Sequence, residues 1–497
     1  MLLLFPGGYA LAQIASLDAS LRLQTVAGIA IPHQNGIPVP SFEKQRRTTI
    51  NLAGPWRKQR FAANHDLTLL KRDAAGMAEL LAEAAGRQEP GYDDSGWPLH
   101  HIPGVENTIN AYEKRPEYYQ DGVWYRRVFA VPGELRGKFA KLIFYAVNYV
   151  ADVWLNGRYL GYHEGGYTSF AFDATPALRY DTLNVIAVRV DNPPWGSRTD
   201  IIPYSRVDWF NYTGILHDVY LEFADEISVV RADIVPKDLN GRLQTTVTVF
   251  NAGTAPQDVE IALQVYAARV DSQNILSESA ADLLGAPVAV SGETRHGNSV
   301  PAREAAVWRT EIIIANPRLW SPQTPHLYIL QVTLARGSRV VDAFHTQFGV
   351  RTAKTSGTKF LLNEKPAFFV GVARHEDHPV YGRSMPVAAR GAKQVAVGGA
   401  RRAEQVVDGD AHLAVGGPPR GSRRPSGLPY GAAMDDHAPL TSLTAGQPLL
   451  VGGDRVTHVT PELAAAFAPG DALLVLPEHG DVLHLPAAER AAARAAM

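Results

Sequence analysis

Residues 141–175 read KLIFYAVNYVADVWLNGRYLGYHEGGYTSFAFDAT. At their centre Asn156-Gly157 separates the runs VADVWL and RYLGYH. Both residues tolerate positive φ, so the pair predicts a two-residue type I′ turn and the flanking runs an antiparallel hairpin. Working outward, DGVWYRRVFAVP (121–132) sets Val123, Tyr125, Arg127 and Phe129 on one face against Trp124, Arg126, Val128 and Ala130 on the other. LNVIAVRVDN (183–192) alternates in the same way. From Arg47 onward the pattern is that of an all-β unit, with strands at short spacing, which predicts a β-sandwich. Residues 70–90 (LKRDAAGMAELLAEAAGRQEP) place Leu and Ala at helical spacing and are expected to form a surface insertion.

A second, smaller β-unit starts near Ile227. Alternating runs with turns at Asn240-Gly241 and Asn251-Ala252-Gly253 lead into VEIALQVYAA, a polar insertion near 270–300, AVWRTEIIIA and HLYILQVTLA. Its length and strand count suit an immunoglobulin-like sandwich. Next comes KFLLNEKPAFFVGVARHEDHPVYGR (359–383). A strand at 360–362 and a turn at Asn363-Glu364-Lys365-Pro366 precede the apolar run Ala367–Val372, the pattern of a strand buried on both faces. It breaks off in Arg374, His375, Glu376, Asp377 and His378. A polar burst at the carboxyl end of a buried strand is where α/β barrels carry their site residues.

Composition narrows the options. The 497 residues allow about three domains. Lys and Arg number 48 against 50 Asp and Glu, a net charge of −2, which gives no electrostatic case for a nucleic-acid or acidic-membrane partner. There is no cysteine, hence no disulfide framework and no thiolate metal site. The opening MLLLFPGGYALAQ has an apolar run ending in Ala10-Leu11-Ala12, like a signal-peptide remnant over residues 1–12, but lacks a basic start. Both a periplasmic and a cytoplasmic location stay open.

Several runs occur in one order: Asp93-Asp94-Ser95-Gly96-Trp97, Trp124-Tyr125-Arg126-Arg127, Val153-Trp154-Leu155-Asn156-Gly157, His163-Glu164-Gly165-Gly166-Tyr167 and Trp209-Phe210-Asn211-Tyr212-Thr213-Gly214-Ile215. Together they resemble the N-terminal jelly-roll domain of glycoside hydrolase family 2, the β-galactosidase and β-glucuronidase family. Residues 317–328, with Trp320, Pro322 and Pro325-His326-Leu327-Tyr328, resemble its second, immunoglobulin-like domain. Residues 359–383 resemble the junction into its catalytic barrel, with Glu364 in place of the usual Gly and Ala373 in place of the usual Asn. The resemblance implies a mainly β chain: an N-terminal segment (1–45), a sugar-binding jelly roll (46–224), an immunoglobulin-like sandwich (225–352), the first strand of a (β/α)8 barrel (353–385) and a tail (386–497).

It also implies a retaining β-glycosidase for terminal β-galactosides, with β-glucuronides as the alternative substrate, no cofactor, an oligosaccharide or β-glycoside as partner and a homo-oligomeric assembly. By resemblance His375 contacts sugar at the floor of the site, Arg374 is its neighbour, and Asp208 reaches sugar hydroxyls or a sodium ion. Trp154 and Trp209-Phe210 are expected to serve the core rather than stack on sugar.

Residues 386–497 break the pattern. They hold no Trp, Ile or Asn, one Phe (Phe467), one Tyr (Tyr430) and one Lys (Lys393), and are dominated by Ala, Gly, Arg and Pro. A (β/α)8 barrel takes about 250 residues of alternating strand and helix. The missing types use AT-rich codons, so a frameshift near residues 384–390 is one expectation and a natural low-complexity tail the other. Neither catalytic Glu of the family is assigned to Glu404, Glu462, Glu478 or Glu489. Asn363-Glu364 is read as a turn. The chain is therefore expected to be inactive in hydrolysis, which leaves a non-catalytic carbohydrate-binding or scaffold protein as a further reading.

Overall fold

The computed structural model describes residues 18–108, 116–194, 209–271, 274, 277–369 and 381–384, and four short strands beyond them. It divides into two units, Met1–Met385 and Pro386–Met497. In the second unit the described residues form two hairpins, Pro448–Val451 with Arg455–His458 and Ala472–Val475 with Val482–Leu485.

The first unit holds two antiparallel sandwiches. In the first, a six-stranded sheet runs in the order Arg158–Glu164, Val150–Leu155, Leu183–Asp191, Gly122–Ala130, Gly54–Phe61, Leu99–Ile102. It faces a four-stranded sheet of Phe170–Asp173, Phe139–Phe144, Val219–Ala224 and Thr48–Asn51. Alternation fills the space between them: Val123, Tyr125, Val153, Leu155, Ile186 and Val188 from one sheet meet Leu142, Phe144, Phe170, Phe172 and Leu221 from the other. The predicted turn is present. Asn156 has φ 54° and Gly157 φ 80°, and Leu155 pairs with Arg158.

The helical stretch forms at the surface as expected, with one face exposed and the other packed on the sheet. Helix Ala74–Ala84, N-capped by Asp73, buries Leu80 and Ala84 in a cluster with Trp97, Trp124 and Trp154. It covers the outer face of the six-stranded sheet, which is why Trp124 and Trp154, pointing away from the inter-sheet core, are fully buried. Trp154 is core, as expected. Residues 13–45, turn-rich by sequence, include a three-stranded sheet of Leu21–Val26, Ile29–Gln34 and Ile37–Pro38.

The second sandwich sets Ile227–Pro236, Arg242–Asn251, Ala305–Ile314 and Val290–Gly292 against Leu284–Val288, Gln257–Ala268, Tyr328–Arg336 and Arg339–Phe348, with Arg295–Val300 also paired to Gln257–Ala268. The polar insertion near 270–300 thus supplies three of its strands. An apolar cluster joins the sandwiches: Phe139, Ile143 and Tyr220 of the first pack with Val230, Phe250 and Ala252 of the second.

A small sheet follows, Ala353–Ser356, Lys359–Leu362 and Lys365–Pro366. Its turn at Asn363-Glu364 has φ 51° and 64°, and Glu364 binds Lys354 and Thr352. The expected strand Ala367–Val372 is not formed over Ala367–Phe369. Only its start is flanked, by the strand Lys359–Leu362: the Ala367 amide donates to the Phe360 carbonyl at 2.9 Å and Phe369 packs on Phe360, while Phe368 stays 91% exposed. Residues 370–372 lie outside the described residues.

Candidate functional site

At one end of the first sandwich, strand Gly214–Ile215 pairs with Val147–Asn148 and ties the segment 209–217 down. Short amide side chains do the tying. Asn148 Nδ2 donates to Asn211 Oδ1 and to the Tyr212 carbonyl, both at 2.6 Å. Asn192 Nδ2 donates to Thr213 Oγ1 at 2.8 Å, which donates in turn to the Tyr119 carbonyl at 2.6 Å. The Thr213 amide donates to Asn107 Oδ1 at 2.8 Å. Asn107, Asn148, Asn192 and Thr213 are all buried. A buried polar network with its donors matched holds one geometry, since each rearrangement would strand a polar group.

On this platform stands a rim of aromatic and cationic side chains. Trp209 is half-buried and Tyr167 is 45% exposed. Their rings lie 6.2 Å apart, edge to face. The Arg383 guanidinium sits 4.9 Å from the Tyr167 ring centre and 5.6 Å from that of Trp209, cation–π distances in both cases. The chain following the second sandwich therefore returns to the first. Ser384 Oγ donates to the Leu216 carbonyl at 3.0 Å. Gly382 has φ 54°, and a Cβ there would lie 2.8 Å from the Tyr212 ring, so only glycine allows the close approach.

Two ionic clusters lie nearby. Glu106, its side chain fully buried, accepts from Lys58 at 2.8 and 2.9 Å and from Arg60. Glu117 is held down to about 2 by its hydrogen bond to Arg60. His65, Asp121 and Asp191 bring ligand atoms within 4.8 Å of one another, a spacing a metal ion could use. Their hydrogen bonds already account for the cluster: His65 Nδ1 to Asp191 at 3.0 Å, Thr68 Oγ1 to Asp191 at 2.5 Å, and the Ala63 and Gly122 amides to Asp121 at 2.8 Å. The hydrogen bond to Asp191 also raises the His65 pKa, which favours an imidazolium over a ligating imidazole.

Asp208, Arg374 and His375 lie outside the described residues. Their chain neighbours do not: Trp209 follows Asp208, and Tyr381–Ser384 follow Arg374 and His375 at short range. Trp209, expected in the core, stands at the rim, while Phe210 packs beside the cluster of Ala146, Tyr212 and Leu216. Sequence reasoning did not single out Tyr167, Arg383, Asn148 or Asn211 for the site. All four sit in stretches with a hairpin or family pattern, but their exposure and partners depend on segments far apart in the chain.

The model of the glycosyl hydrolases family 2 sugar binding domain matches residues 50–224, and the glycosyl hydrolases family 2 model matches residues 227–351. The chain belongs to glycoside hydrolase family 2. Relatives in the family include the β-galactosidase BoGH2A of Bacteroides ovatus, 29% identical over 308 residues, covering 60% of this chain and 33% of that protein. A putative β-glucuronidase of Formosa agariphila is 29% identical over 296 residues, covering 59% of this chain and 33% of that protein. The chain thus spans about a third of the length of these curated family 2 relatives. A Bacteroides uniformis β-glucuronidase structure shares the fold, with a TM-score of 0.55 at 23% identity, covering 70% of this chain and 38% of that one.

Proposed function

We propose that residues 46–352 are the non-catalytic N-terminal part of a retaining β-glycosidase for terminal β-galactosides, and that the loop end bearing Tyr167, Trp209 and Arg383 borders its sugar site. The observation that carries this reading is the contact of Arg383 with Trp209, which joins two chain segments named by family resemblance. Asp208 immediately precedes Trp209 in the chain. We assign Asp208, Arg374 and His375 to sugar hydroxyls at this end: a carboxylate accepts, a guanidinium donates, and an imidazole does either. β-Glucuronides are the second reading, supported by relatives of that name matching over the same share of the chain.

Retaining hydrolysis needs two carboxyl groups about 5–5.5 Å apart, one as nucleophile and one as acid/base. Residues 386–497 contain no position to which either is assigned, so the 497-residue polypeptide is proposed to bind saccharide without turnover. A homo-oligomer is proposed by analogy with the family. The test is incubation of the purified chain with 4-nitrophenyl β-galactoside and β-glucuronide, alongside tryptophan-fluorescence titration with the matching methyl glycosides. No nitrophenol release, with quenching that Trp209→Phe removes, is the expected result. Turnover of either substrate would overturn the inactive reading, and quenching untouched by Trp209→Phe would overturn the placement of the site.

A further inference from the structure

The N-terminal hairpin, Leu21–Val26 with Ile29–Gln34, lies against the edge strand Arg158–Glu164 of the first sandwich. Polar contacts fix it there. Gln34 Nε2 reaches His163 Nδ1 at 2.6 Å and Ser20 Oγ at 3.0 Å, the Ser20 amide donates to Glu164 Oε1 at 2.8 Å, and Tyr162 Oη donates to the Asp18 carbonyl at 2.7 Å. Hairpin and edge strand enclose an open groove of about 220 Å³, lined chiefly by Ser20, Arg22, Gln24, His33, Asn35 and Tyr162. It shares no residue with the Tyr167–Trp209–Arg383 rim.

Its lining is unusual for a surface crease. Asn35 and Gly36, at the turn that ends the hairpin, close one end of the groove. His33, itself buried, points Nδ1 at the Ile31 carbonyl at 3.1 Å, so that nitrogen carries the proton and Nε2 is left as an acceptor. Gln24 offers both a donor and an acceptor. The Tyr162 ring, with the Arg72 guanidinium 5.4 Å from its centre, supplies an aromatic wall. Arg22 is the only formally charged side chain in the lining, and its pairing with Asp18, at 3.7 Å between two exposed groups, is weak.

We infer that this groove is a second saccharide site, taking one pyranose ring that carries a carboxylate. Paired donors and acceptors on planar side chains match vicinal hydroxyls, each of which donates and accepts. Arg22 matches the carboxylate, which would take the place of Asp18 beside it; no side chain of the lining itself is acidic. The volume lies below the roughly 300–1,000 Å³ of pockets for drug-sized ligands, which fits a single ring.

The test is saturation-transfer NMR on the full chain with methyl α-galacturonide and methyl α-galactoside, α-anomers chosen so that a β-glycoside site does not report. The uronide is expected to give at least fivefold more transfer than the neutral glycoside. The double variant Arg22→Ala/Gln24→Ala, which alters only exposed side chains of an edge strand, should remove that transfer, and Trp209→Ala should leave it intact. Absence of transfer from the uronide overturns the inference, as does transfer indifferent to the double variant. Loss of transfer in Trp209→Ala places binding at the loop end instead and also overturns it.

Discussion

Arg47, in the first sandwich, forms a bidentate pair with Asp342, 295 residues away in the second: Nε to Oδ1 at 3.1 Å and Nη2 to Oδ2 at 2.5 Å. The same guanidinium donates to Glu222 Oε1 at 2.8 Å and to the Val229 carbonyl at 2.7 Å. Lys141 reaches Glu222 at 2.6 Å, and Asp342 also accepts from the Val229 amide at 2.8 Å. Both partners of the Arg47–Asp342 pair are about 5% exposed, so the charges are shielded from water and from salt. With the Phe139–Phe250 contact beside it, this staple fixes the angle between the sandwiches.

Replacing Arg47 by Met should therefore cost far more than loss of a surface ion pair. Two buried carboxylates would keep Lys141 as their one close cation, and breaking a buried pair from one side costs about 3–5 kcal/mol. The expected readout is a urea unfolding curve that shifts down and splits into two transitions as the sandwiches unfold separately. A single transition moved by less than about 1 kcal/mol would show that the staple has no such role.

Acid should destabilise the fold in two windows. Burial lowers His163 from 6.5 to about 4, and burial assisted by Lys58 does the same to His100. The unfolded chain then binds protons that the folded chain refuses, so stability present above pH 6.5 is lost as pH falls towards 4. The limit is on the order of 3 kcal/mol per histidine. For Glu222 burial acts to raise the pKa, but Lys141 and Arg47 outweigh it and hold the carboxyl at about 2, so its contribution is lost below 4.5. His65 has the opposite sign: raised by Asp191, it contributes below pH 6.5 and loses that contribution as pH rises through its folded value. His163→Gln should flatten the slope of unfolding free energy between pH 6.5 and 4; an unchanged slope would refute the assignment.

The Asn156-Gly157 turn separates backbone from side-chain effects. Asn156 Nδ2 donates to the Ala177 carbonyl and to Asn184 Oδ1, both at 2.8 Å, and its Oδ1 accepts from the Val185 amide at 2.9 Å. Asn156→Gly keeps the positive φ and should cost about 1–2 kcal/mol from the lost bonds. Asn156→Ala adds strain and should cost about 1 kcal/mol more, read as thermal midpoints of the two variants. Equal midpoints would mean that the turn relaxes when its side-chain bonds are removed.

The same turn marks the boundary of what the sequence reveals. Asn-Gly between alternating runs states a local preference, and local preferences were readable: the hairpin, the alternating strands of both sandwiches, and Asn363-Glu364 as a turn. Which face of Ala74–Ala84 is buried was not readable, because Leu80 and Ala84 meet Trp124 and Trp154, tryptophans that only strand pairing brings together. The Arg47–Asp342 pair was hidden for the same reason. At the loop end, the run containing Trp209 was legible as a family feature, but its exposure depends on Tyr167, 42 residues before it, and Arg383, 174 residues after it. Ala367–Val372 failed in the other direction. Its apolar pattern encodes burial on both faces, yet among the described residues only Phe360 packs on Phe369, and Phe368 stays exposed.

Docking of Tyr381–Ser384 can be tested by proteolysis. Trypsin cleaves after Arg383 only if that segment leaves the surface, since its guanidinium lies on Tyr167 and Trp209 and Ser384 is bonded to Leu216. Gly382→Ala would drive a methyl into the Tyr212 ring at 2.8 Å and strain a residue at φ 54°, so the docked state should lose about 2–3 kcal/mol. Because cleavage tracks the open population, the rate at Arg383 should rise roughly 30- to 150-fold, as 1.4 kcal/mol is about tenfold. Ser384→Ala removes a single hydrogen bond worth about 1 kcal/mol and should raise it about fivefold. Both variants should leave the unfolding midpoint of the first sandwich in place, because Tyr212 stays packed against Leu216 without the segment. Cleavage at one rate in all three proteins would mean that residues 381–384 are not held at the loop end, and the Arg383 contact would then no longer support a sugar site there.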